Sequence, residues 1–335
     1  MRTRRLATAP AHLLLAGAPL LLPWLGACAA RGDAASAPPD PMAALAADSA
    51  RILDDLRFLS SDEMQGRASG SEGAARARAR LASRFEEAGL APFAPGYEHS
   101  FRWTRRNETE ERTGVNLVAA RPGSERSGLV IVVSGHYDHV GVRDGEIYNG
   151  ADDNASGAVG IAALARALRG VRLRHTLVFA AFDAEESGLR GARAFVASPP
   201  VPLDSIAVDL NLDMVARTAG LLWAGGAHHT PALRSILEGV AARSPVELRL
   251  GHDAPGAPEG DDWTQQSDHG AFHAAGIPFV YLGVEDHPDY HHATDDFERV
   301  IPGEYMNALR AALLTLLALD QALPLAGPRT EAPHP

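Results

Sequence analysis

The sequence predicts an α/β fold, a three-layer sandwich with a central mixed, mostly parallel sheet flanked by helices. Two observations carry this. Five short apolar runs bounded by turn residues, Val115 to Ala120, Leu129 to Ser134, Thr176 to Phe182, Ile206 to Leu212 and Ile277 to Leu282, read as buried strands. They alternate with helical stretches at Ala155 to Leu168, Pro231 to Ala242 and Pro302 to Leu319, the pattern of a parallel sheet covered on both faces. The size agrees: 335 residues, 46% hydrophobic and 22% charged, suffice for one well-buried core.

Taken in order, the chain opens on a targeting pattern. Arg2, Arg4 and Arg5 precede an apolar stretch from Leu13 to Leu25 that Pro19 and Pro23 interrupt, and Leu25-Gly26-Ala27-Cys28 follows. Residues 1–27 therefore read as a signal peptide, too short and too broken for a spanning helix. The last four of these positions resemble the bacterial lipobox, which implies that Cys28 becomes the lipidated first residue of the mature chain; cleavage after an alanine, with no lipid, is the plainer alternative. The expected location is the cell envelope, as a periplasmic or outer-membrane lipoprotein, with the lipid on Cys28 as the only membrane contact. Cys28 is the single cysteine, so the fold must hold without disulfides. Residues 28–42, rich in Ala, Pro, Ser, Gly and Asp, bury too little apolar area to order themselves and read as a tether.

One catalytic-type domain is expected over residues 43–322, followed by a loose Pro-rich tail at 323–335. Leu45, Ile52, Leu53, Leu56 and Leu59 recur at helical spacing, with Asp48 nearby as a cap, and predict a first helix. A loop is expected from Ser60 to Gly73, then a helix from Ala74 to Ala88 that stops at Gly89. The 31 basic residues against 42 acidic ones give a net charge of −11, the wrong sign for gripping phosphate backbones, so a nucleic-acid partner is excluded.

In open α/β sheets ligands collect beyond the carboxyl ends of the strands. Here those ends are polar: His136-Tyr137-Asp138-His139 after the second run, Asp183-Ala184-Glu185-Glu186 after the third, and Asp213 after the fourth. Between the first two of these lies a turn, Asn149 to Gly157, carrying the adjacent Asp152 and Asp153, and near the end of the chain stands Asp289-Tyr290-His291-His292. A single His-x-Asp or an Asp-Asp turn is ordinarily structural. Together, at one edge of one sheet, carboxylates and imidazoles without a thiolate suit zinc, or cobalt or manganese, in a hydrolytic site.

Taken together, His-x-Asp, Ala-Asp-Asp-Asn-x-Ser-Gly, Asp-x-Glu-Glu-x-Gly-Leu-x-Gly, Asn-x-Asp-Met, Ser-Asp-His and Tyr-His-x-x-x-Asp resemble the M28 family of zinc aminopeptidases, from about Leu45 to Leu319. The resemblance implies a zinc-exopeptidase fold, peptide substrates and two zinc ions, one held by His136, Asp152 and Asp213 and the other by Asp152, Glu186 and His291. It implies that Asp152 bridges the metals and precedes a cis peptide, that Glu185 is the general base, and that Asp138 orients His136. The resemblance places an aspartate four residues after the last ligand, which pairs His291 with Asp295; His292 with Asp296 keeps the same interval, and the tyrosine directly before His291 favours the first register. Asp268, in Ser267-Asp268-His269, matches a motif near the substrate.

Elementary geometry is consistent with these roles. Residues two apart on an extended segment point the same way, so Asp138 can lie beside His136 and fix its tautomer. The neighbours Glu185 and Glu186 point apart, so one can ligate while the other faces the attacking water. Gly66-Arg67 is taken as packing, and His139, His228, His229, His252 and His287 as surface or loop residues. Two other functions are weighed. A glutaminyl-cyclase-like transferase would share Glu, Asp and His positions but use one zinc, and the full ligand set favours two. A peptide-binding lipoprotein with a dead site is disfavoured by the intact Glu185. A serine hydrolase is disfavoured because no Gly-x-Ser-x-Gly elbow occurs.

Overall fold

The computed structural model describes residues 39–104, 109–125, 127–255 and 261–325. The expected signal peptide, Cys28, most of the expected tether and most of the expected tail lie outside these. Helix α1 (Pro41–Ala47) begins inside the stretch expected to be tether, because Asp40 caps it by accepting the Met42 N–H at 2.9 Å and Pro41 occupies its first turn. The single helix expected through Leu59 is broken at Asp48, where α2 (Ser49–Leu59) starts. After the Ser60 to Arg67 turns, Ser71 caps α3 (Glu72–Glu87) through its hydroxyl and the Ala74 N–H.

Strands β1 (Ala91–Pro92), β2 (Glu98–Thr104) and β3 (Glu111–Arg121) lead into the sheet. Next come β4 (Val130–His136), the small hairpin of β5 (Gly141–Arg143) and β6 (Glu146–Tyr148), and then α4 (Gly157–Ala167). The remainder is β7 (Thr176–Phe182), α5 (Arg190–Ala197), β8 (Ile206–Leu212), β9 (Leu221–Gly225), α6 (Ala232–Ala241), β10 (Glu247–Leu250), α7 (His269–Ala274), β11 (Phe279–Gly283) and α8 (Pro302–Ala322). The main sheet runs β1-β3-β7-β4-β8-β11-β9-β10, with β2 paired to β3 outside that path. Its centre, β7-β4-β8-β11, is parallel, while β3 and β9 pair antiparallel with their neighbours β7 and β11. The fold class is therefore the one expected. Beyond the expected elements the structure adds strands β2, β9 and β10 and the short helices α5 and α7.

Alternation along the fully buried strands splits the core into two layers. Ile131 and Val133 face Leu45, Leu56, Leu81, Ile161, Leu237 and Leu309 of α1, α2, α3, α4, α6 and α8. Val130 and Val132 face Phe195 and Phe272 of α5 and α7. From β4 the chain crosses to β7 on one side and then to β8 on the other, so loops diverge at the carboxyl end of β4 and open a crevice there. That crevice holds the site.

The start of α4 is pressed against the end of β8. A side-chain carbon on Gly157 would stand 2.2 Å from the Leu212 carbonyl oxygen and 2.5 Å from Asn154 Oδ1. Gly157→Ala is expected to destabilise the fold by about 1–3 kcal/mol, because a backbone carbonyl must move and alanine's helix preference does not offset that. Chemical denaturation checks it; an unchanged or raised midpoint would show that α4 can slide away from β8 at no cost.

Candidate metal centre

His136 ends β4 and is buried. Its Nδ1 lies 3.1 Å from the backbone carbonyl of Asp138, which can only accept, so Nδ1 carries the proton and Nε2 is free to ligate. The expected partner, the Asp138 carboxylate, is farther, at 3.7 Å. It instead accepts the N–H of Glu185 at 3.0 Å, joining the loop after β4 to the loop after β7.

The adjacent aspartates divide in a way that differs from the sequence-based expectation. Asp152, expected to bridge two metals, is turned away: Oδ1 accepts the Ala216 N–H at 2.7 Å and Oδ2 lies 3.2 Å from His287 Nε2. Asp153 faces the crevice. Its Oδ1 stands 3.4 Å from His136 Nε2, and its Oδ2 stands 3.0 Å from His291 Nε2 and 3.7 Å from His139 Nδ1. The carboxylate that faces both sides is thus that of Asp153, and the cis peptide is Asp153-Asn154 rather than Asp152-Asp153. The physical reason is the winding of the Ala151–Ser156 turn, whose Asp153 and Asn154 leave helical geometry and reverse which neighbour points inward. Three tethers hold that turn. The Asp295 carboxylate accepts the N–H groups of Asp152 and Asp153, Asn154 Oδ1 accepts those of Gly157 and Met214, and Ser156 Oγ accepts that of Val215. Gly150 supplies the entry at φ 55°, where a side chain would meet the Asp153 carbonyl at 2.1 Å and the His139 ring at 2.5 Å.

After β7, Asp183 accepts the N–H groups of Val115 and Ala184, so the turn presents Glu185 and Glu186 in different directions. Glu185 Oε2 is 3.9 Å from His136 Nε2. Glu186 has Oε1 2.7 Å from His139 Nδ1 and Oε2 3.3 Å from His291 Nε2. After β8, Asp213 Oδ1 lies 3.4 Å from His136 Nε2. His291 reaches the site with Tyr290 stacked on its ring at 4.0 Å, while His292 joins neither donor group.

Two donor groups result, each within 4.8 Å: His136, Asp153 and Asp213, and His139, Asp153 and Glu186, with His291 beside the second. Their electrostatics fit cations. Burial raises the carboxyls of Asp153, Glu185 and Asp268, the last to about 8, and their carboxylate neighbours add to the rise. His136, which burial alone would hold neutral, is driven well above its ordinary value by Asp213 and Glu185. The Asp213 Oδ1 atom is buried without a hydrogen-bond donor. Crowded carboxylates, an unpartnered buried oxygen and imidazoles at this spacing are what a divalent metal pair relieves.

A cavity of about 380 Å³ opens over these groups, with Glu185, Glu186, Asp153 and His291 in its lining and Leu189, Met214, Trp263, Tyr281 and Val284 on its apolar walls. Asp268, expected near the substrate, is fully buried and absent from that lining. Other expectations also change. His139 is buried in the second donor group, not on the surface. His287 pairs with Asp152, and His252 stacks on Trp263 at 3.7 Å and so supports the cavity wall. The one signal for His139 was its place in the strand-end run that begins with His136.

Residues 116–316 match the model of peptidase family M28. The chain is 30% identical over 200 residues to aminopeptidase YwaD of Bacillus subtilis, covering 56% of this chain and 41% of that one. It spans less than half the length of the curated relatives it matches. In structure it is similar to BSAP, a zinc aminopeptidase from Bacillus subtilis, with a TM-score of 0.66 at 16% identity over 85% of this chain and 97% of that one. It is equally similar to Fimbriiglobus ruber glutaminyl cyclase, with a TM-score of 0.66 at 20% identity over 81% and 95% of the two chains. At these identities the two structures speak to the fold.

Proposed function

Because the chain belongs to peptidase family M28, we propose that it is a zinc-dependent aminopeptidase that hydrolyses the N-terminal peptide bond of peptides at a dinuclear centre. The observation that carries this reading is the Asp153 carboxylate, whose two oxygens face two different donor groups. His136, Asp153 and Asp213 would hold one zinc, and Asp153, Glu186 and His291 the other. When bound, the pair supplies Lewis acidity to the attacking water and to the scissile carbonyl. Glu185, partly buried beside His136 in the cavity lining, accepts the water's proton and passes it to the departing amide nitrogen. The surrounding carboxylates favour a substrate's free ammonium group over a free carboxylate, so the chain end bound here is the amino end. The first side chain of the peptide lies against Leu189, Met214, Trp263 and Val284.

Export and lipid anchoring on Cys28 belong to the same proposal and rest on the N-terminal pattern alone. The similarity to a glutaminyl cyclase motivates the second reading, cyclisation of an N-terminal glutamine. One experiment separates the two. Zinc is measured on the purified protein, and a mixed peptide pool including glutamine-first peptides is followed by mass before and after chelation. About two zincs with chelator-sensitive release of free amino acids supports the aminopeptidase. One zinc, with loss of ammonia from glutamine-first peptides and no release, would replace it by the cyclase. Absence of zinc would remove both.

A further inference from the structure

Arg67 is the largest fully buried side chain among the described residues, and it takes no part in the cavity's lining. Its hydrogen bonds run to backbone carbonyls: Nε to Tyr137 at 2.8 Å, Nη1 to Leu59 at 2.6 Å and to Asn149 at 2.5 Å, and Nη2 to Gly150 at 2.9 Å. Its own carbonyl accepts the His139 N–H at 3.3 Å. Tyr137 stands between His136 and Asp138, and Asn149 and Gly150 lead directly into the turn that carries Asp153. A planar fork thus clips together the two loops that carry His136, His139 and Asp153, and pins both to the end of α2. Gly66 brings the fork this close, since a side chain there would meet the carbonyl oxygens of Gly141 and Tyr148 at 2.5 Å.

A buried guanidinium without a carboxylate against it is costly if packing is its only use. Burial lowers Arg67 to about 10, against the pull of Asp153, Asp138, Asp295 and Glu186, so it stays charged at neutral pH. We propose that Arg67 is a positioning residue for the metal centre, setting the register of the β4 loop against the Asp153 turn, and so the separation of His136 from Asp153. This rests on the zinc reading above.

The test is zinc affinity of the full-length protein, measured by competition with a chelator of known strength, together with circular dichroism of the zinc-free form. Arg67→Lys keeps the charge and loses the fork; zinc affinity is expected to fall about 10- to 100-fold in a folded protein. Arg67→Met removes a cation, which by itself favours zinc, so a fall there too can come only from displaced loops. Wild-type zinc affinity in either folded variant would overturn the inference while leaving the zinc reading intact. Failure of both variants to fold would overturn it as well, assigning Arg67 to the fold alone. A wild-type protein that binds no zinc would instead sink the zinc reading, and this inference with it.

Discussion

Asp153→Asn is expected to cost the protein zinc and turnover together, whereas Asp152→Asn keeps both. The Asp153 carboxylate is the only group whose two oxygens face both donor sets among the described residues, with Oδ1 toward His136 and Oδ2 toward His291. An amide at that position offers one oxygen and one N–H, so it cannot ligate on both sides, and the negative charge that compensates two cations is lost. Losing several kcal/mol of charge stabilisation corresponds to a fall in kcat/KM of roughly three orders of magnitude or more. Asp152 sits one residue away with its oxygens on the Ala216 N–H and His287. Asparagine reproduces that pair, its oxygen accepting from Ala216 and its amide donating to the ring, so less than about tenfold should change. Elemental analysis and peptide hydrolysis on the two variants read the contrast; equal losses in both would mean that the turn rearranges on loading.

The second large effect is a separation of binding from turnover. Glu185→Gln is expected to retain zinc at wild-type content while kcat falls about 10²- to 10⁴-fold, the range supplied by a positioned base. The side chain is held ready to accept a proton, because its backbone N–H is bonded to Asp138 and desolvation raises the proton affinity of the carboxyl, with Asp268, Glu186 and Asp213 raising it further. It lies outside both donor groups, so removing its charge leaves every assigned ligand in place. Zinc content and single-turnover rates check this. Retained activity would transfer the base role elsewhere, and lost zinc would make Glu185 a ligand.

The contrast between the two variants follows from what is local and what is not. Strand and helix identities were readable because apolar period and turn residues act over a few positions, and the runs from Val115 to Leu282 appear as β3, β4, β7, β8 and β11 within a few residues at most ends. Placing His136, Glu185, Glu186 and Asp213 at one edge also required only strand direction, since parallel neighbours end on the same side. By contrast, the choice between Asp152 and Asp153 depends on a turn whose winding is set by Asp295, 142 positions beyond Asp153. No regular period applies there, so adjacent residues of the same type cannot be told apart by pattern.

Three further residues show the same division. His139 reads as one more loop histidine until the chain folds it against Glu186 at 2.7 Å. Asp268 carries a recognisable motif, yet its burial beneath the cavity is decided by how α7 packs on the sheet. Arg67 looks like an ordinary arginine after a glycine, and only the approach of four carbonyls from three separate segments makes it a clip. By itself, then, the sequence determined the α/β class, the donor chemistry and the sheet edge at which the donors gather, because each follows from residue type and short-range periodicity. The tertiary structure alone decided which aspartate faces both donor groups, which histidines turn inward and what holds the two donor-bearing loops together, because those outcomes depend on hydrogen bonds between segments far apart in the chain.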